Sequence, residues 1–398
     1  MFAALVAGVT TLLTFAGLGY FVVALWSARA FLRRRPLSAE GFAPPVSVLK
    51  PLRGVDAGMA EAFASHCRQS YTGEYEILFG VASLSDPAVE VVRELQAAFP
   101  ERAIRLILCA DVVGPNGKVS CVAQLAPQAR YDYLIVNDSD IRVGAHYLAH
   151  VMAPFAGPAE PPVGLVTALY RGRSHGTLGS KLETLGISTE FGPSVLTSRY
   201  LERGLHFALG STLAVSRTAL EAIGGFEPLA AYLADDYELG ARVAAAGFRV
   251  ELSREIVETS VPPWDLRGFF QHQLRWARTV RDSRPWGYAG LFASYGLAWA
   301  MLNLVASGFS LPSLALLSLA LLFRVTLALS VGVGVLGDRG VLRDLWLLPL
   351  RDLLALGLWA WSYASHTVVW RNERFLLKKG KLEPARPEAE AGARARAR

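Results

Sequence analysis

The segment YLIVNDSDIRV, residues 133–143, joins a short apolar run to two aspartates that stand two positions apart. The run Tyr133–Asn137 predicts a buried strand, because apolar and β-branched residues are favoured there and turn-forming residues follow it. Asp138 and Asp140 would then lie at the carboxyl end of that strand, which is where open α/β sheets bind their ligands. The segment therefore predicts a sheet with a polar site at one edge.

Similar apolar runs on both sides of this segment extend the predicted sheet. Helix-length stretches such as Pro87–Phe99 and Lys118–Gln128 separate the early runs. This alternation of strands and helices predicts an α/β protein with a Rossmann-like, doubly wound parallel sheet that is covered on both faces. The predicted strands are Val46–Lys50, Glu76–Ala82, Ile104–Leu108, Tyr133–Asn137, Val163–Tyr170 and Thr212–Ser216.

The composition indicates that the sheet belongs to a membrane protein. Of the 398 residues 52% are hydrophobic and only 19% are charged, which is unusually apolar for a cytosolic enzyme. Residues 2–26 carry no charge and are long enough to cross a bilayer as a helix. Basic residues follow this stretch and do not precede it. This order favours an uncleaved anchor whose N-terminus is outside the cell and whose main domain is cytoplasmic.

A second uncharged stretch lies towards the C-terminus, between Pro285 and Phe323, and Pro312 interrupts it. It predicts spans near Tyr288–Phe309 and Leu314–Leu336. Arg324 falls inside the second span, where a charge is costly and is expected to face a partner or a water-filled cavity.

The stretch Leu345–Trp370 contains Pro349, Arg351 and Asp352. It is therefore predicted to be an interfacial or re-entrant helix, so that two C-terminal spans keep the basic tail in the cytoplasm. The predicted organisation is an N-terminal anchor at 1–28, a basic, proline-containing linker at 29–44, the α/β domain at 45–284, a C-terminal membrane region at 285–370 and a basic, partly disordered tail at 371–398.

The net charge of +6 does not indicate a nucleic-acid partner. Much of the excess lies beside the apolar stretches, where basic residues set topology and contact lipid headgroups. No zinc-ligand spacing, basic recognition helix or RNA-binding aromatic motif is present. The three cysteines are odd in number and unevenly spaced, which favours a reducing compartment for the soluble part.

Asp138 and Asp140 are the first candidates for chemistry. Two carboxylates at a strand end can converge on a hard cation such as Mg²⁺ or Mn²⁺, which would neutralise a diphosphate leaving group. A lone Asp-x-Asp is more often a solvated turn. The buried strand before it and the basic Arg142 just after it favour the functional interpretation.

Two further acidic segments each allow two interpretations. Asp86, in SLSDPA (83–88), could accept hydrogen bonds from uracil or ribose, but Ser-Asp-Pro-Ala is also an ordinary helix start. Asp235 and Asp236 precede the helix-like ELGARVAAAG (238–247). Asp235 is interpreted as the cap of that helix and Asp236 as a general base that takes the proton of an attacking hydroxyl.

The basic and aromatic candidates come from two other segments. Lys118 follows a Gly-Pro-Asn-Gly turn at the start of a predicted helix and could meet a phosphate there. The amphipathic FFQHQLRWART (269–279) contains Arg275, which could bind a diphosphate, and Trp276, which could close over donor or acceptor. An interfacial helix with its Arg and Trp at the headgroups is the structural alternative.

Taken in order, these motifs resemble those of the ceramide glucosyltransferases, which are inverting membrane enzymes with a GT-A fold. The resemblance covers roughly 45–284 and includes VSVLKPLRGVD (46–56), SDPA, DSDIRV, ADDYELG and the Arg-Trp pair. It implies that Asp86, Asp138 and Asp236 are the family's three aspartates, with Asp236 as the proposed base. Arg275 and Trp276 would end the Gln/Arg-x-x-Arg-Trp motif. His272 occupies the first position of that motif, with glutamines on both sides of it.

The resemblance implies single-step, inverting transfer of a hexose, most simply glucose, from a UDP-sugar to a lipid hydroxyl such as that of ceramide. The reaction would take place at the cytoplasmic face of a bacterial-type inner membrane with Mg²⁺ or Mn²⁺ held by Asp138 and Asp140. The implied donor-binding residues are Asp86, Lys118, Asp138, His272, Arg275 and Trp276.

Three alternative functions remain open at this point. Bacterial hopanoid-biosynthesis glycosyltransferases look similar over the same motifs and transfer N-acetylglucosamine to a hopanoid. A processive polysaccharide synthase uses a similar acidic and Arg-Trp set. A membrane nucleotidyltransferase also uses strand-end aspartates with Mg²⁺.

Overall fold

The computed structural model describes residues 1–34, 41–157, 160–370 and 373–384. Seven strands form the main sheet, in the spatial order β3-β2-β1-β4-β6-β5-β7. They are β1 (Val46–Leu52), β2 (Tyr75–Val81), β3 (Ala103–Leu108), β4 (Tyr133–Val136), β5 (Val163–Ser174), β6 (Leu213–Ser216) and β7 (Arg249–Val261).

Helices surround this sheet, and further, apolar helices lie near both ends of the chain. Their bounds are α1 (Phe2–Arg33), α2 (Met59–Cys67), α3 (Ala88–Ala98), α4 (Gly117–Leu125), α5 (Tyr147–Met152), α6 (Leu178–Gly186), α7 (Gly192–Leu201), α8 (Arg217–Ala222), α9 (Asp235–Ala245), α10 (Leu266–Ser283), α11 (Pro285–Ser294), α12 (Gly296–Ala306), α13 (Leu311–Ala328), α14 (Gly340–Asp344) and α15 (Leu348–Ser362). π-helical segments follow α6, at Ile187–Phe191, and α13, at Leu329–Val335.

All six predicted strands are present, and the α/β class with a mostly parallel sheet is confirmed. β6 is the exception, because it runs antiparallel to both β4 and β5. Leu213, its first residue, pairs with Val136, the last residue of β4. β6 thus starts at the edge where β4 ends and runs back across the sheet. The alternation of one strand with one helix predicts parallel neighbours. It is interrupted before β6, because the chain passes through both α6 and α7 between β5 and β6.

β7 was not among the predicted strands. Its sequence, RVELSREIVETSV, mixes charged and apolar residues and contains no continuous apolar run. It pairs in parallel with β5 at the edge of the sheet, where charged side chains on the outer face remain in contact with water. Its last residues bring Thr259 and Ser260 to the end of the sheet that carries Asp140.

Two helices in the described ranges are long and apolar enough to cross a membrane, namely Phe2–Arg33 and Leu311–Val335. The stretch predicted as one span at Tyr288–Phe309 is a pair of helices, α11 and α12, that meet at 51°. Counting this bent pair as one span gives three. α15, in the stretch predicted to be interfacial, has 15 residues. The number of C-terminal spans stays a prediction.

Arg324 has the partner that its position requires. Its Nε and Nη2 atoms each donate to one carboxylate oxygen of Asp352, both at 2.8 Å, and Nη2 also lies 3.2 Å from the hydroxyl of Thr189. A two-pronged pair of this kind is among the strongest arginine contacts. The predicted span and α15 are therefore joined by a buried ion pair.

A small sheet at the C-terminal end, here called the terminal sheet, packs against the α/β domain. Its strands are β8 (Thr367–Trp370), β9 (Glu373–Lys378) and β10 (Lys381–Pro384). The predicted boundary at residue 370 therefore falls inside an ordered unit, since 373–384 are strands. Residues 371–372 and 385–398 of the predicted tail, and 35–40 of the predicted linker, lie outside the described residues.

Candidate active site

Lys118 connects two acidic segments at the carboxyl end of β4. Its Nζ atom lies 2.7 Å from Oδ1 of Asp138 and 3.4 Å from Oδ2 of Asp235. It stands in the first turn of α4, where the side chain of Asn116 accepts hydrogen bonds from the backbone N–H groups of Lys118 and Val119. Burial alone would lower the pKa of Lys118, but Asp138 and Asp235 outweigh it and raise that pKa. Lys118 therefore stays charged.

Asp236 and Asp138 face the same point in space. Oδ2 of Asp236 accepts the backbone N–H of Gly210 at 2.7 Å, and Oδ1 accepts that of Tyr237 at 2.8 Å. A Cβ atom added to Gly210 would lie 3.1 Å from Oδ2 of Asp236 and 3.6 Å from Oδ2 of Asp138. Burial, with the neighbouring Asp235, raises the pKa of Asp236 to about 6. The two predicted acids thus share one crevice.

Asp140 is held from behind by the end of β7. Its Oδ2 atom accepts hydrogen bonds from the hydroxyl of Thr259 and, at 3.1 Å, from the backbone N–H of Ser260. Burial and the charge of Asp138 raise the pKa of Asp140 to about 6. Lys50, fully buried in β1, donates to the backbone carbonyl of Asp138 at 3.0 Å and fixes the turn between the two aspartates.

A polar cleft of about 310 Å³ opens beside these acids, between the ends of β1 and β4 and the start of α4. Its volume is at the lower end of the range for small-molecule sites. Its lining combines carboxylates, cations and backbone, as a phosphate-bearing ligand requires. The lining residues are Pro51, Leu52, Arg53, Asp56, Gly117, Lys118, Cys121, Asp138, Ser139 and Asp140.

Asp86 supports one wall of this cleft. Both of its carboxylate oxygens accept the backbone N–H of Gly54, at 3.0 Å, and Oδ1 also accepts that of Ala88 at 2.9 Å. Asp86 therefore stands just before α3, whose N-cap residue is Pro87. The hydrogen bonds from Gly54 also tie Asp86 to the loop after β1, which contributes Arg53 and Asp56 to the cleft.

The donor atoms suit a cation that shares its coordination with a substrate. The side chain of Asp138 is 42% exposed, and Mg²⁺ is commonly bound by one or two carboxylates together with substrate phosphates. Among the residues that the structure describes, no group of three or more His, Cys, Asp or Glu side chains could hold a metal alone. The geometry favours Asp138 as the exposed ligand, with Asp140 behind it.

The motif on α10 lies beside a series of rings, here called the aromatic row. The centroid of Trp276 is 5.6 Å from that of His272 and 6.0 Å from that of Phe191. Phe191 lies 5.2 Å from Tyr170, and His272 stacks on Trp264 at 5.3 Å. Burial and the charges of Asp236, Glu183, Asp138 and Asp140 raise the pKa of Tyr170. Tyr170 is the member of the row that stands in β5.

The predicted donor-binding residues of α10 have different surroundings in the structure. Nδ1 of His272 lies 3.2 Å from Oε2 of Glu183, so His272 contacts α6 and Trp264. Arg275 and Trp276 are half-buried on the same helix. Sequence reasoning did not identify Tyr170, Glu183 or Lys50. Lys50 lies in the quoted VSVLKPLRGVD and could have been found there, whereas the other two stand in segments without a motif.

The sheet, the facing aspartates and the cleft define a glycosyltransferase of the GT-A class. The chain belongs to glycosyl transferase family 21, because the sequence model of that family matches residues 9–383. The resemblance to the ceramide glucosyltransferases is thereby confirmed at the level of the family.

Two relatives illustrate this membership. Ceramide glucosyltransferase 1 of Caenorhabditis elegans is 22% identical over 352 residues, which are 85% of this chain and 72% of that protein. Ceramide glucosyltransferase 3 of the same organism is 25% identical over 235 residues, 59% of this chain, and the match spans only 50% of that relative.

The mannosyltransferase PcManGT of Pyrobaculum calidifontis, solved in complex with GDP-Man and Mn²⁺, superposes with a TM-score of 0.53 at 19% identity. The superposition covers 86% of this chain and 99% of that one. At this level of identity the likeness shows the fold.

Proposed function

We propose that the protein transfers glucose from UDP-glucose to the hydroxyl of a ceramide-like lipid, in one step and with inversion at the anomeric carbon. The observation that carries this proposal is that carboxylate oxygens of Asp236 and Asp138 lie 3.1 Å and 3.6 Å from one point beside Gly210. An acceptor hydroxyl can meet a base there while the sugar is held on the diphosphate side. The ceramide glucosyltransferase relatives supply the choice of sugar and lipid.

On the donor side, Asp138 and Lys118 meet the diphosphate in the cleft. A Mg²⁺ or Mn²⁺ ion bound by Asp138, with Asp140 behind it, would neutralise charge on the leaving UDP. Lys118 remains protonated between its two carboxylates, so it can donate to a phosphate oxygen as the bond breaks. Asp86 orders the loop that borders the nucleotide, and Arg275 approaches from α10 as a second cation.

On the acceptor side, Asp236 takes the proton. Its carboxylate is held by the N–H groups of Gly210 and Tyr237, which fix its orientation before the acceptor arrives. The lipid hydroxyl then attacks the anomeric carbon opposite the departing UDP, and Trp276 covers the sugar. The candidate spans support a membrane location for the protein, and we assign the crevice to the cytoplasmic face of a bacterial inner membrane.

The test incubates the purified full-length protein in nanodiscs with radiolabelled UDP-glucose or UDP-N-acetylglucosamine, and with ceramide or a hopanoid polyol. We expect glucosylated ceramide. Transfer of N-acetylglucosamine to the hopanoid alone would replace this proposal by the hopanoid alternative. Long polymer made from UDP-sugar alone would identify a processive synthase, and pyrophosphate release from a nucleoside triphosphate would identify a nucleotidyltransferase.

A further inference from the structure

A carboxylate with no part in the proposed transfer stands beside the aromatic row. Glu190 is next to Phe191 in the π-helical segment Ile187–Phe191, which separates α6 from α7. π-helical turns occur often at functional sites, because the extra residue in the turn changes the direction of neighbouring side chains. The side chain of Glu190 is 31% exposed, so a ligand can reach it.

Glu190 is held by an arginine from the far end of the chain. Nη2 of Arg351, on α15, lies 2.8 Å from Oε2 of Glu190 and donates to the side-chain oxygen of Gln273 at 3.3 Å. The guanidinium lies flat against α6, since a Cβ atom added to Gly186 would come within 2.5 Å of Nη2. Gln273 belongs to α10, one turn from Trp276. The Glu190–Arg351 pair is therefore adjacent to the aromatic row.

The pair has hydrogen-bonding capacity that the described part of the chain does not use. Arg351 is only 5% exposed, and its Nε and Nη1 atoms have no hydrogen-bond partner among the described residues. A buried polar atom without a partner destabilises the folded protein. A ligand that supplies an acceptor oxygen at this place would remove that destabilisation.

The surroundings of the pair also indicate a ligand. Ionisable side chains among apolar helices are rare and commonly mark substrate pathways. The neighbouring Arg324 also has one atom, Nη1, without a hydrogen-bond partner in the described ranges, but its Nε and Nη2 atoms both contact Asp352 inside the bundle. The Glu190–Arg351 pair differs, because two atoms of Arg351 lack such a partner and the side chain of Glu190 is 31% exposed.

We propose that Glu190 and Arg351 bind the polar head group of the lipid acceptor, an inference that rests on the proposed function. The carboxylate accepts from a hydroxyl or an amide N–H, and the guanidinium donates to a carbonyl or hydroxyl oxygen. The pair thus fits a head group that both donates and accepts, such as an amide flanked by hydroxyls. The aromatic row covers the apolar chain next to that head group and directs its free hydroxyl towards Asp236.

The test compares Glu190→Gln with a matched control, Glu202→Gln. Glu202 also pairs with an arginine, Arg284, at 2.5 Å, and its side chain is 30% exposed. For Glu190→Gln we expect the KM and the Kd for a short-chain fluorescent ceramide to rise about tenfold or more, because a charge-assisted contact is lost. The KM for UDP-glucose and kcat stay within about twofold of wild type. The control variant keeps all four constants.

A second variant, Arg351→Lys, retains the charge but loses the planar fork, and it should weaken ceramide binding in the same direction. Unchanged ceramide affinity in folded Glu190→Gln would overturn the inference. A parallel loss of UDP-glucose affinity would also overturn it, since the pair would then act by positioning α10.

Lipid binding is measured separately from transfer, because it does not require the base at Asp236. If wild-type protein binds ceramide in a manner that depends on Glu190 but glucosylates none, the proposed function fails and this inference stands. If it glucosylates ceramide and both variants bind that lipid normally, the inference fails alone.

Discussion

Asp236 combines burial with a fixed orientation, and both properties bear on its chemistry. Burial disfavours the charged form of a carboxyl group, and the neighbouring Asp235 adds to that effect. Lys118 and the N–H group of Tyr237 lower the pKa of Asp236, whereas Asp138, like Asp235, raises it. The resulting pKa of about 6 suits a general base that must accept a proton near neutral pH and release it afterwards.

A pH profile tests this assignment of the base. The ionised form of Asp236 is the active one, so kcat should fall as the pH drops through the folded-state pKa of about 6. Asp236→Asn should bind UDP-glucose almost as wild type does, yet turn over about 10²-fold more slowly. Near-normal turnover in this variant would remove Asp236 from the role of base.

The sequence identified several of these side chains but not their contacts. Asp138 could be predicted because it directly follows an apolar run, and Asp236 because it precedes a helix-like segment. Their meeting beside Gly210 depends on the reversed direction of β6, and LAVS, the sequence of β6, contains no directional signal. Glu190 could not be found, because a π-helical turn in the segment ISTEF has no sequence signature.

At the scale of elements, the terminal sheet joins the two sides of the candidate active site. The backbone N–H of Leu382 donates to the carbonyl of Ala231 at 2.8 Å, and that of Leu233 donates to Gly380 at 3.3 Å. Arg278 of α10 donates to the carbonyl of Thr367 at 2.6 Å. Leu233 also completes the apolar core of the sheet, with Val368, Phe375, Leu377 and Leu382. The sheet thus holds both the segment before Asp235 and the helix of the Arg-Trp motif.

Adjacent leucines of β9 allow this role to be tested with a built-in control. Leu377 is 3% exposed in the core of the terminal sheet, whereas Leu376 points outward and is 39% exposed. Leu377→Asp should detach the sheet and lower kcat about tenfold or more, because small displacements of catalytic groups are costly. Leu376→Asp should behave as wild type. Equal kcat values in the two variants, with the same circular dichroism spectrum, would show that the sheet does not position the site.

The terminal sheet was not predicted because its strands are short. TVVW continues the apolar stretch before it, and ERFLLK and KLEP mix charged with apolar residues. β7 escaped prediction for a related reason. Edge strands tolerate charged residues, and the apolar run that marks a buried strand is then missing. The central strand β4, which is largely buried, was predicted to within one residue at each end.

Across the whole molecule, close backbone contact joins the first apolar helix to the C-terminal ones. A Cβ atom added to Gly17 of α1 would lie 2.2 Å from the Cα atom of Gly296, at the start of α12. Asn303, further along α12, donates to the carbonyl of Ala7 and to the hydroxyls of Thr10 and Thr11 at 2.8–3.0 Å. Small residues and shared hydrogen bonds are the usual means of helix association in membranes.

Two glycines of α1 test the importance of this contact. Gly17→Leu should force α1 away from α12 and destabilise the protein by about 1–3 kcal/mol, as overpacking does. Gly19→Leu is the control, because nothing lies within 4 Å of a Cβ atom at that position. Thermal unfolding in nanodiscs, followed by tryptophan fluorescence, should show a lower Tm for Gly17→Leu alone. Identical Tm values for the two variants would mean that the close contact between α1 and α12 does not contribute to stability.

The sequence predicted that Arg324 needs a partner, because a charge inside an apolar span is costly, but it did not identify Asp352. The identity of a partner depends on how the helices pack, and helix packing has no local pattern. The bend between α11 and α12 was missed in the same way, since PWGYAGLFASYGLAWA reads as one continuous apolar helix.

The terminal sheet also has a consequence for biosynthesis. Ribosomes make proteins from the N-terminus, so every catalytic side chain is translated before the strand that ends at Pro384 emerges. A nascent chain whose residues up to Pro384 have not yet left the ribosome lacks the contacts of the terminal sheet with the segment before Asp235. Glycosyl transfer by such a chain would therefore be slower than transfer by a chain in which the terminal sheet has formed.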